Sequence, residues 1–144
     1  MPEKRPDLAA MIAPLGRTLA TAELPVLERH GLTMWGYVVL LGLDDEPVYT
    51  QAALAKKIRA DKTRIIGTLD ELQQRGLIRR DPDPTDRRAR LISLTQAGRT
   101  TRDQAQRDIQ EQENHLLSRL PAADRKVFLR SLQTLWESVV EPPS

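Results

Sequence analysis

The sequence predicts a mainly α-helical protein that carries one small β-hairpin, an α+β arrangement, and two observations predict it. Over most of the chain, apolar residues recur at the spacing of an amphipathic helix. Between Leu77 and Thr95 they instead alternate with polar residues, which is typical of strands. With 144 residues, the chain can bury a core of its own, so we expect residues 1–144 to form one domain.

The first two predicted helices precede an acidic turn at residues 44–47. Apolar residues follow helical spacing from Leu8 onward, but Pro14 and Pro25 predict either a kink or a split into shorter helices. Thr33 is expected to cap the next helix, MWGYVVLLGL. Because that segment is apolar nearly all round, it belongs at the centre of the core.

Two short helices joined by a tight turn are predicted between Thr50 and Gly76. Thr50 can cap the first helix, and residues 59–60 form the turn. Asp61 is expected to cap the second helix, which runs to the C′ glycine Gly76 and forms a helix-turn-helix with the first. The inward residues of the first helix are Ala53, Leu54 and Ile58. Those of the second are Ile65, Ile66, Leu69 and Leu72. The opposite face of the second presents Thr63, Arg64, Gly67, Glu71 and Gln74, with Thr68 on the flank.

The alternating segment predicts a hairpin, in which the strands LIRRD and RLISLT are joined by a charged loop. A helix-turn-helix followed directly by a hairpin is a winged helix. Asp81 and Asp83 each precede a proline and are expected to set the turn geometry. Asp86 lies two residues before Arg88, close enough to orient that guanidinium by a charge-assisted hydrogen bond.

Two helices are predicted after the hairpin. Thr95 is expected to cap a long polar helix, which we interpret as a strut through solvent and not as a core element. Pro121 suits the first turn of the final helix. The apolar face of that helix is broad enough to need a partner subunit as its cover, with the N-terminal segment as its companion. That face comprises Val127, Phe128, Leu132, Leu135, Trp136 and Val139.

The charge of the chain is unevenly distributed although its net value is only +2. Residues 51–99 contain 12 lysines and arginines against 6 aspartates and glutamates, a balance of +6, whereas the remaining residues have a balance of −4. Such asymmetry is typical of polyanion binding by one segment. The alternative is a solvated surface on which the charges are merely uneven.

Several classes of function find no support in the sequence. The chain has no cysteine, and its two histidines, His30 and His115, belong to no metal or catalytic motif. We therefore expect no enzyme, no metal and no cofactor. We also expect a cytoplasmic protein, because no stretch resembles a membrane span or a signal peptide.

Residues 32–99 resemble the MarR family of bacterial winged-helix transcription regulators, most closely at LDELQQRGLIRRDPDPTDRRARLISLTQAGR. This string contains the family's Asp-x-Arg wing element at Asp86–Arg88 and its Leu-Thr-x-x-Gly run at Leu94–Gly98. The resemblance implies a homodimer on a pseudo-palindromic operator, usually a repressor that a small aromatic or anionic effector releases. It implies a DNA-binding lobe at residues 33–99 and a helical dimerisation lobe at residues 5–30 and 105–140.

The resemblance and the properties of the groups together predict the contacts with double-stranded DNA. The second helix would enter the major groove, where Arg64 can address guanine bidentately, and the wing would enter the minor groove. Phosphates would be held at Thr50 and Gln51. The predicted recognition-helix residues are Lys62, Thr63, Arg64, Gly67 and Thr68, and the wing residues are Asp86, Arg87, Arg88 and Arg90.

Three of these expectations have alternatives. Many family members carry a polar or basic residue at the position of Gly67, so this glycine indicates either close approach of the helix backbone to the groove or a simple kink. His30, Trp35 and Tyr37 are candidates for ligand contact, although a residue of this kind is more often simply a core or cap residue. A winged helix can also bind protein instead of DNA.

Overall fold

The computed structural model describes residues 3–43 and 49–140, and within them the chain is mainly helical with a small antiparallel sheet. The predicted fold class is confirmed. The acidic turn predicted at residues 44–47 lies outside the described residues. Among the described helices, none combines the length and the apolar character that crossing a membrane requires. The elements are α1 (Leu8–Arg29), α2 (Met34–Gly42), β1 (Tyr49–Thr50), α3 (Gln51–Lys57), α4 (Arg64–Gln74), β2 (Ile78–Asp83), β3 (Asp86–Leu94), α5 (Gln96–Leu117) and α6 (Ala122–Val140).

The chain divides into two compact units, residues 1–109 and residues 110–144. The first contains α1 to α4, the sheet and most of α5. Its core includes Val39 and Leu40 of α2, neither of which has any exposed surface. Ala105 and Ile109 of α5 are buried in the same core, so the first half of α5 is a core element and the interpretation of this helix as a strut was wrong for that half.

Helix α1 is continuous from Leu8 to Arg29 although Pro14 and Pro25 lie inside it, so it is not split into shorter helices. Each proline removes only one backbone donor, and the turn after Pro25 is anchored because Val26 and Leu27 are buried. Tertiary packing therefore outweighs the local cost of the second proline.

Local signals define several helix ends as predicted. The hydroxyl oxygens of Thr33, Thr50 and Thr95 each accept a hydrogen bond from the backbone N–H three residues later, at 3.0, 3.1 and 3.0 Å. Gly76, with φ +73°, ends α4, and the N–H of Leu77 donates to the Leu72 carbonyl at 2.9 Å. This is a Schellman motif, in which the left-handed residue lets orphan carbonyls find donors.

The sheet has three strands in the order β1-β3-β2, and the hairpin is longer than predicted. Strands β2 and β3 pair antiparallel from Ile78 and Leu94 outward to Asp83 and Asp86, so only residues 84–85 form the turn. The charged loop of the prediction is thus mostly strand. Its outer part is polar on both faces because it extends beyond the core, and it therefore has no apolar alternation by which to recognise it.

Candidate nucleic-acid interface

The second helix of the helix-turn-helix begins later than predicted. Helix α4 starts at Arg64, and Lys62 and Thr63 lie in the turn before it. The Asp61 carboxylate accepts a hydrogen bond from the backbone N–H of Thr63 at 3.2 Å, so it stabilises this turn and is not the N-cap residue of the helix. All three predicted contact residues at the helix start remain exposed.

One face of α4 is buried as predicted, with a single exception. Ile65, Leu69 and Leu72 have at most 2% of their surface exposed, whereas Ile66 is 42% exposed. Ile66 lies about 100° around the helix from Ile65 and so falls at the edge of the buried stripe. The outward face carries Arg64 and Gly67, and Thr68 is half-buried on the flank.

The surroundings of Gly67 are open. A β-carbon built at Gly67 would meet no atom within 4 Å, and α4 continues uninterrupted through this residue. Packing within this part of the chain therefore does not require a glycine here. The helix backbone at Gly67 forms an exposed, unobstructed strip between Arg64 and Glu71.

Some arginines of the first unit use their donors inside the protein. Arg75, at the end of α4, donates to the backbone carbonyls of Gly31 and, at 3.4 Å, His30. Arg102 donates to the carbonyl of Leu43 at 3.2 Å. These guanidinium groups use part of their donors to connect separate elements of the protein.

Arg80 joins the hairpin to α4. From β2 its guanidinium donates to the side chains of Asp70 and Gln73, both on α4. Only 21% of the Arg80 side chain is exposed. The sequence prediction did not identify this cluster, although Asp70 and Gln73 are three residues apart and therefore share a helix face.

A second group of basic side chains lacks such internal bonds in the described part of the chain. Each is exposed, and none forms a side-chain hydrogen bond or ion pair with any residue in the described part of the chain. Arg64 has one ring contact: its guanidinium carbon lies 5.8 Å from the centroid of the Trp35 ring. The positive charges and donors of these side chains are therefore exposed to solvent. The group comprises Lys62, Arg64, Arg87, Arg88 and Arg90.

The tip of the wing is held by two aspartates. The Asp83 carboxylate accepts hydrogen bonds from the backbone N–H and the hydroxyl of Thr85, at 2.9 and 2.7 Å. These bonds, the backbone one first, hold the pKa of Asp83 below its ordinary value. The Asp86 carboxylate accepts from the backbone N–H of Arg88 at 3.0 Å. The expected bond from Asp86 to the Arg88 guanidinium is therefore wrong, since Asp86 holds the backbone of that residue instead.

The start of α3 has the geometry predicted for a helix N-terminus. Thr50 ends β1 and caps α3, and Gln51 is the first helical residue and half-buried. Leu54 is buried and Ile58 packs against the core as predicted, but Ala53 is exposed and Ala55 takes the inward position. Ala53 was the one wrong assignment among the three inward residues.

The three candidate ligand residues each have a partner or a place within the protein. The Nε2 atom of His30 lies 2.7 Å from a carboxylate oxygen of Asp108 on α5. Trp35 faces Arg64, and Tyr37 is buried in the core. Across residues 3–43 and 49–140, no group of three or more histidines and acids is placed to hold a metal ion.

Apolar side chains are exposed on α1 and on α6. On α1 they include Leu8 and Ile12, which are 58% and 55% exposed. On α6, in the second unit, none of the residues is buried. Exposure of this extent is unusual for a helix in a folded monomer. The exposed residues of the predicted α6 face are Val127, Phe128, Leu132, Leu135, Trp136 and Val139.

Comparison with known proteins assigns this architecture. The sequence model of the MarR family matches residues 32–89. A protein of Thauera aromatica, the proposed transcriptional regulatory protein for the hcr operon, is 29% identical over 128 residues, covering 89% of this chain and 73% of that protein.

Two solved structures extend the likeness over most of the chain. CouR from Rhodococcus jostii RHA1, bound to p-coumaroyl-CoA, matches with a TM-score of 0.77 and 27% identity over 96% of this chain and 94% of that one. The transcriptional repressor CouR bound to a 23-mer DNA duplex matches with a TM-score of 0.75 and 28% identity, over 90% of this chain and 92% of that one.

Proposed function

We propose that the chain, which matches the MarR family of transcriptional regulators over residues 32–89, is a member of that family and a sequence-specific repressor that binds DNA as a homodimer. The observation that carries the proposal is that some basic side chains have hydrogen-bond partners within the protein and others have none among the described residues. Arg75, Arg80 and Arg102 donate to groups within the protein, whereas the side chains of Lys62, Arg64, Arg87, Arg88 and Arg90 donate to none of the described protein groups.

Helix α4 would read bases from the major groove, which admits a helix and distinguishes all four base pairs. Arg64 can donate two hydrogen bonds to O6 and N7 of a guanine. Thr63 and Thr68 would contact a thymine methyl or a phosphate. Lys62, in the turn before the helix, would meet the DNA backbone. Gly67 would allow the helix backbone to approach the groove floor.

The wing would enter the neighbouring minor groove. Arg87, Arg88 and Arg90 lie on the exposed outer part of β3, and a narrow minor groove concentrates negative potential that favours guanidinium groups. Asp86 would contribute indirectly by holding the backbone at Arg88. The clamp from Arg80 to α4 supports this arrangement, because it ties the wing strand to the reading helix.

Contacts to phosphate would set the register and most of the salt dependence. Thr50 and Gln51 at the start of α3 are the proposed backbone contacts, in addition to Lys62. If a dimer neutralises about 8 phosphates, a plot of the logarithm of the binding constant against the logarithm of the salt concentration should have a slope of about −7.

The dimer would divide each chain between two tasks. Residues 33–99 would form the DNA-binding lobe, and residues 5–30 and 105–140 would form the dimerisation lobe. The exposed apolar side chains of α1 and α6 support this division, because a second copy would remove them from water. Two such lobes would face the half-sites of a pseudo-palindromic operator in the cytoplasm.

An effector would release the repressor. The relative CouR is bound to p-coumaroyl-CoA in one structure and to DNA in another, which supports an aromatic or anionic ligand for this chain. His30, Trp35 and Tyr37 remain the proposed contacts. A ligand that binds at the Nε2 atom of His30 would have to replace Asp108 as the partner of that atom.

The test is a salt titration of duplex binding. A duplex enriched by the chain from a random-sequence library is labelled, and its dissociation constant is measured by fluorescence anisotropy at several salt concentrations. A slope near the dimer value supports the proposal. Salt-insensitive binding, or no enrichment, would favour a winged helix that binds protein.

One matched pair of variants sharpens this test. Arg88→Ala should weaken binding and reduce the magnitude of the salt slope by about 1 for each contact removed. Arg107→Ala removes an exposed arginine of α5, outside the proposed reading surface, and should leave both quantities unchanged once size-exclusion chromatography shows that this variant forms the same oligomer as the wild type. Equal effects of the two variants would contradict the assignment of the wing.

A further inference from the structure

Arg64 differs from the other uncommitted basic residues in lying against an aromatic ring. Its guanidinium carbon is 5.8 Å from the centroid of the Trp35 indole, and a cation within about 6 Å over a tryptophan face is attracted by the ring. No residue in the described ranges accepts a hydrogen bond from the Arg64 guanidinium. The ring therefore restrains the guanidinium without occupying its N–H donors.

A carboxylate in place of the ring would act differently. Asp70 holds Arg80 by accepting a hydrogen bond from its guanidinium, and the N–H group that makes this bond cannot serve another partner. A carboxylate beside Arg64 would also place a negative charge close to DNA phosphates. An aromatic ring is the side chain that can orient a guanidinium and leave its hydrogen-bonding edge available.

Trp35 is built into a rigid part of the first unit. It is half-buried in α2, and its neighbours Gly36 and Tyr37 are buried. Thr33 caps this helix, and α2 packs against α4. The ring is consequently fixed relative to the start of the proposed recognition helix.

We infer that Trp35 is a positioning residue for DNA reading, whose indole holds Arg64 in the conformation that addresses a base. This inference rests on the proposed function. A free arginine side chain loses rotamer entropy when it is ordered on a base. Restraint by Trp35 removes part of that cost before DNA binds, and it does so only for the contact made through Arg64.

The experiment is a double-mutant cycle on the duplex that the wild-type chain enriches from a random-sequence library. Loss of a cation–π contact of about 1 kcal/mol corresponds to about a fivefold change, so Trp35→Leu should weaken binding of the enriched duplex about fivefold. Binding of a mixed-sequence duplex should hardly change. In an Arg64→Ala background, Trp35→Leu should have little further effect.

Two further measurements separate positioning from a role in folding. Trp35→Phe keeps an aromatic face and should restore most of the affinity lost in Trp35→Leu. In a Trp136→Phe chain, Trp35 is the remaining tryptophan, and Arg64→Ala should shift its fluorescence emission if the contact exists in solution.

The outcomes distinguish the inference from the proposed function. An equal loss of affinity from Trp35→Leu with and without Arg64, or an unchanged emission, would overturn the positioning role and leave DNA binding intact. Failure of the wild-type chain to enrich any duplex would overturn the proposed function and this inference together.

Discussion

Replacing Gly67 with alanine should change stability and DNA affinity in opposite directions. The added methyl group meets no atom within 4 Å in the free protein, so it introduces no clash there. Glycine inside a helix costs about 1 kcal/mol relative to alanine. Gly67→Ala should therefore raise the free energy of unfolding by about 1 kcal/mol, which corresponds to an increase in Tm of about 4 °C for a domain of this size.

The effect on DNA follows from the proposed approach of the α4 backbone to the major groove. If the strip at Gly67 lies against the groove floor, the methyl group must displace either helix or DNA. Forcing one extra carbon into a packed contact costs about 1–3 kcal/mol, which is a loss of about 5- to 150-fold in affinity.

Thermal unfolding followed by circular dichroism gives the first quantity, and fluorescence anisotropy with the enriched duplex gives the second. Gly16→Ala is the matched control, because Gly16 lies inside α1 and also has open space around it. It should raise Tm and, once size-exclusion chromatography shows that the variant forms the same oligomer as the wild type, leave DNA affinity unchanged. An unchanged or increased affinity of Gly67→Ala would refute the close approach, and a fall in Tm would refute the helix argument.

Three further predictions concern the hairpin and its junction with α5. A β-carbon at Gly98 would lie 2.0 Å from a backbone carbonyl oxygen, so Gly98→Ala should lower the free energy of unfolding in urea by at least about 2 kcal/mol. Asp86→Ala should weaken DNA binding because the backbone N–H of Arg88 loses its acceptor. Asp86→Asn keeps an acceptor and should bind DNA at least as tightly as the wild type. Tighter binding by the alanine variant would show that Asp86 only repels DNA. Thr85→Val removes one of the donors that lower the pKa of Asp83, so an NMR titration should show that this pKa rises. Because the pKa of Asp83 is lower in the folded chain than in the unfolded chain, Asp83 stabilises the fold at pH values above its unfolded pKa. That contribution is lost as pH falls through the folded pKa, in the acid range below about pH 4.

Helix ends were predictable because their causes are local. Thr33, Thr50 and Thr95 cap helices through bonds to the third following residue, and Gly76 supplies the left-handed conformation that ends α4. Each signal lies within a few positions of its partner. The amphipathic spacing of α4 likewise predicted three of its four inward residues.

Helical spacing could not predict whether a residue at the edge of the apolar face of a helix is buried. Ile66 and Ala53 were assigned inward by spacing, but exposure depends on how far a neighbouring element reaches around the helix. The length of the hairpin was missed for a related reason. Its outer strands are polar on both faces, so pairing between β2 and β3, and not burial, defines them.

The sequence by itself determined the order of elements, the capping residues, the winged-helix pattern and the concentration of positive charge in residues 51–99. Only the tertiary structure decided which charges are available, because Arg75 and Arg80 find their partners on elements that approach them through folding, whereas the guanidinium of Arg88 finds none among the described residues. It also decided that Trp35 meets Arg64, since a contact between two helices depends on how they pack and has no signature in the spacing of either helix.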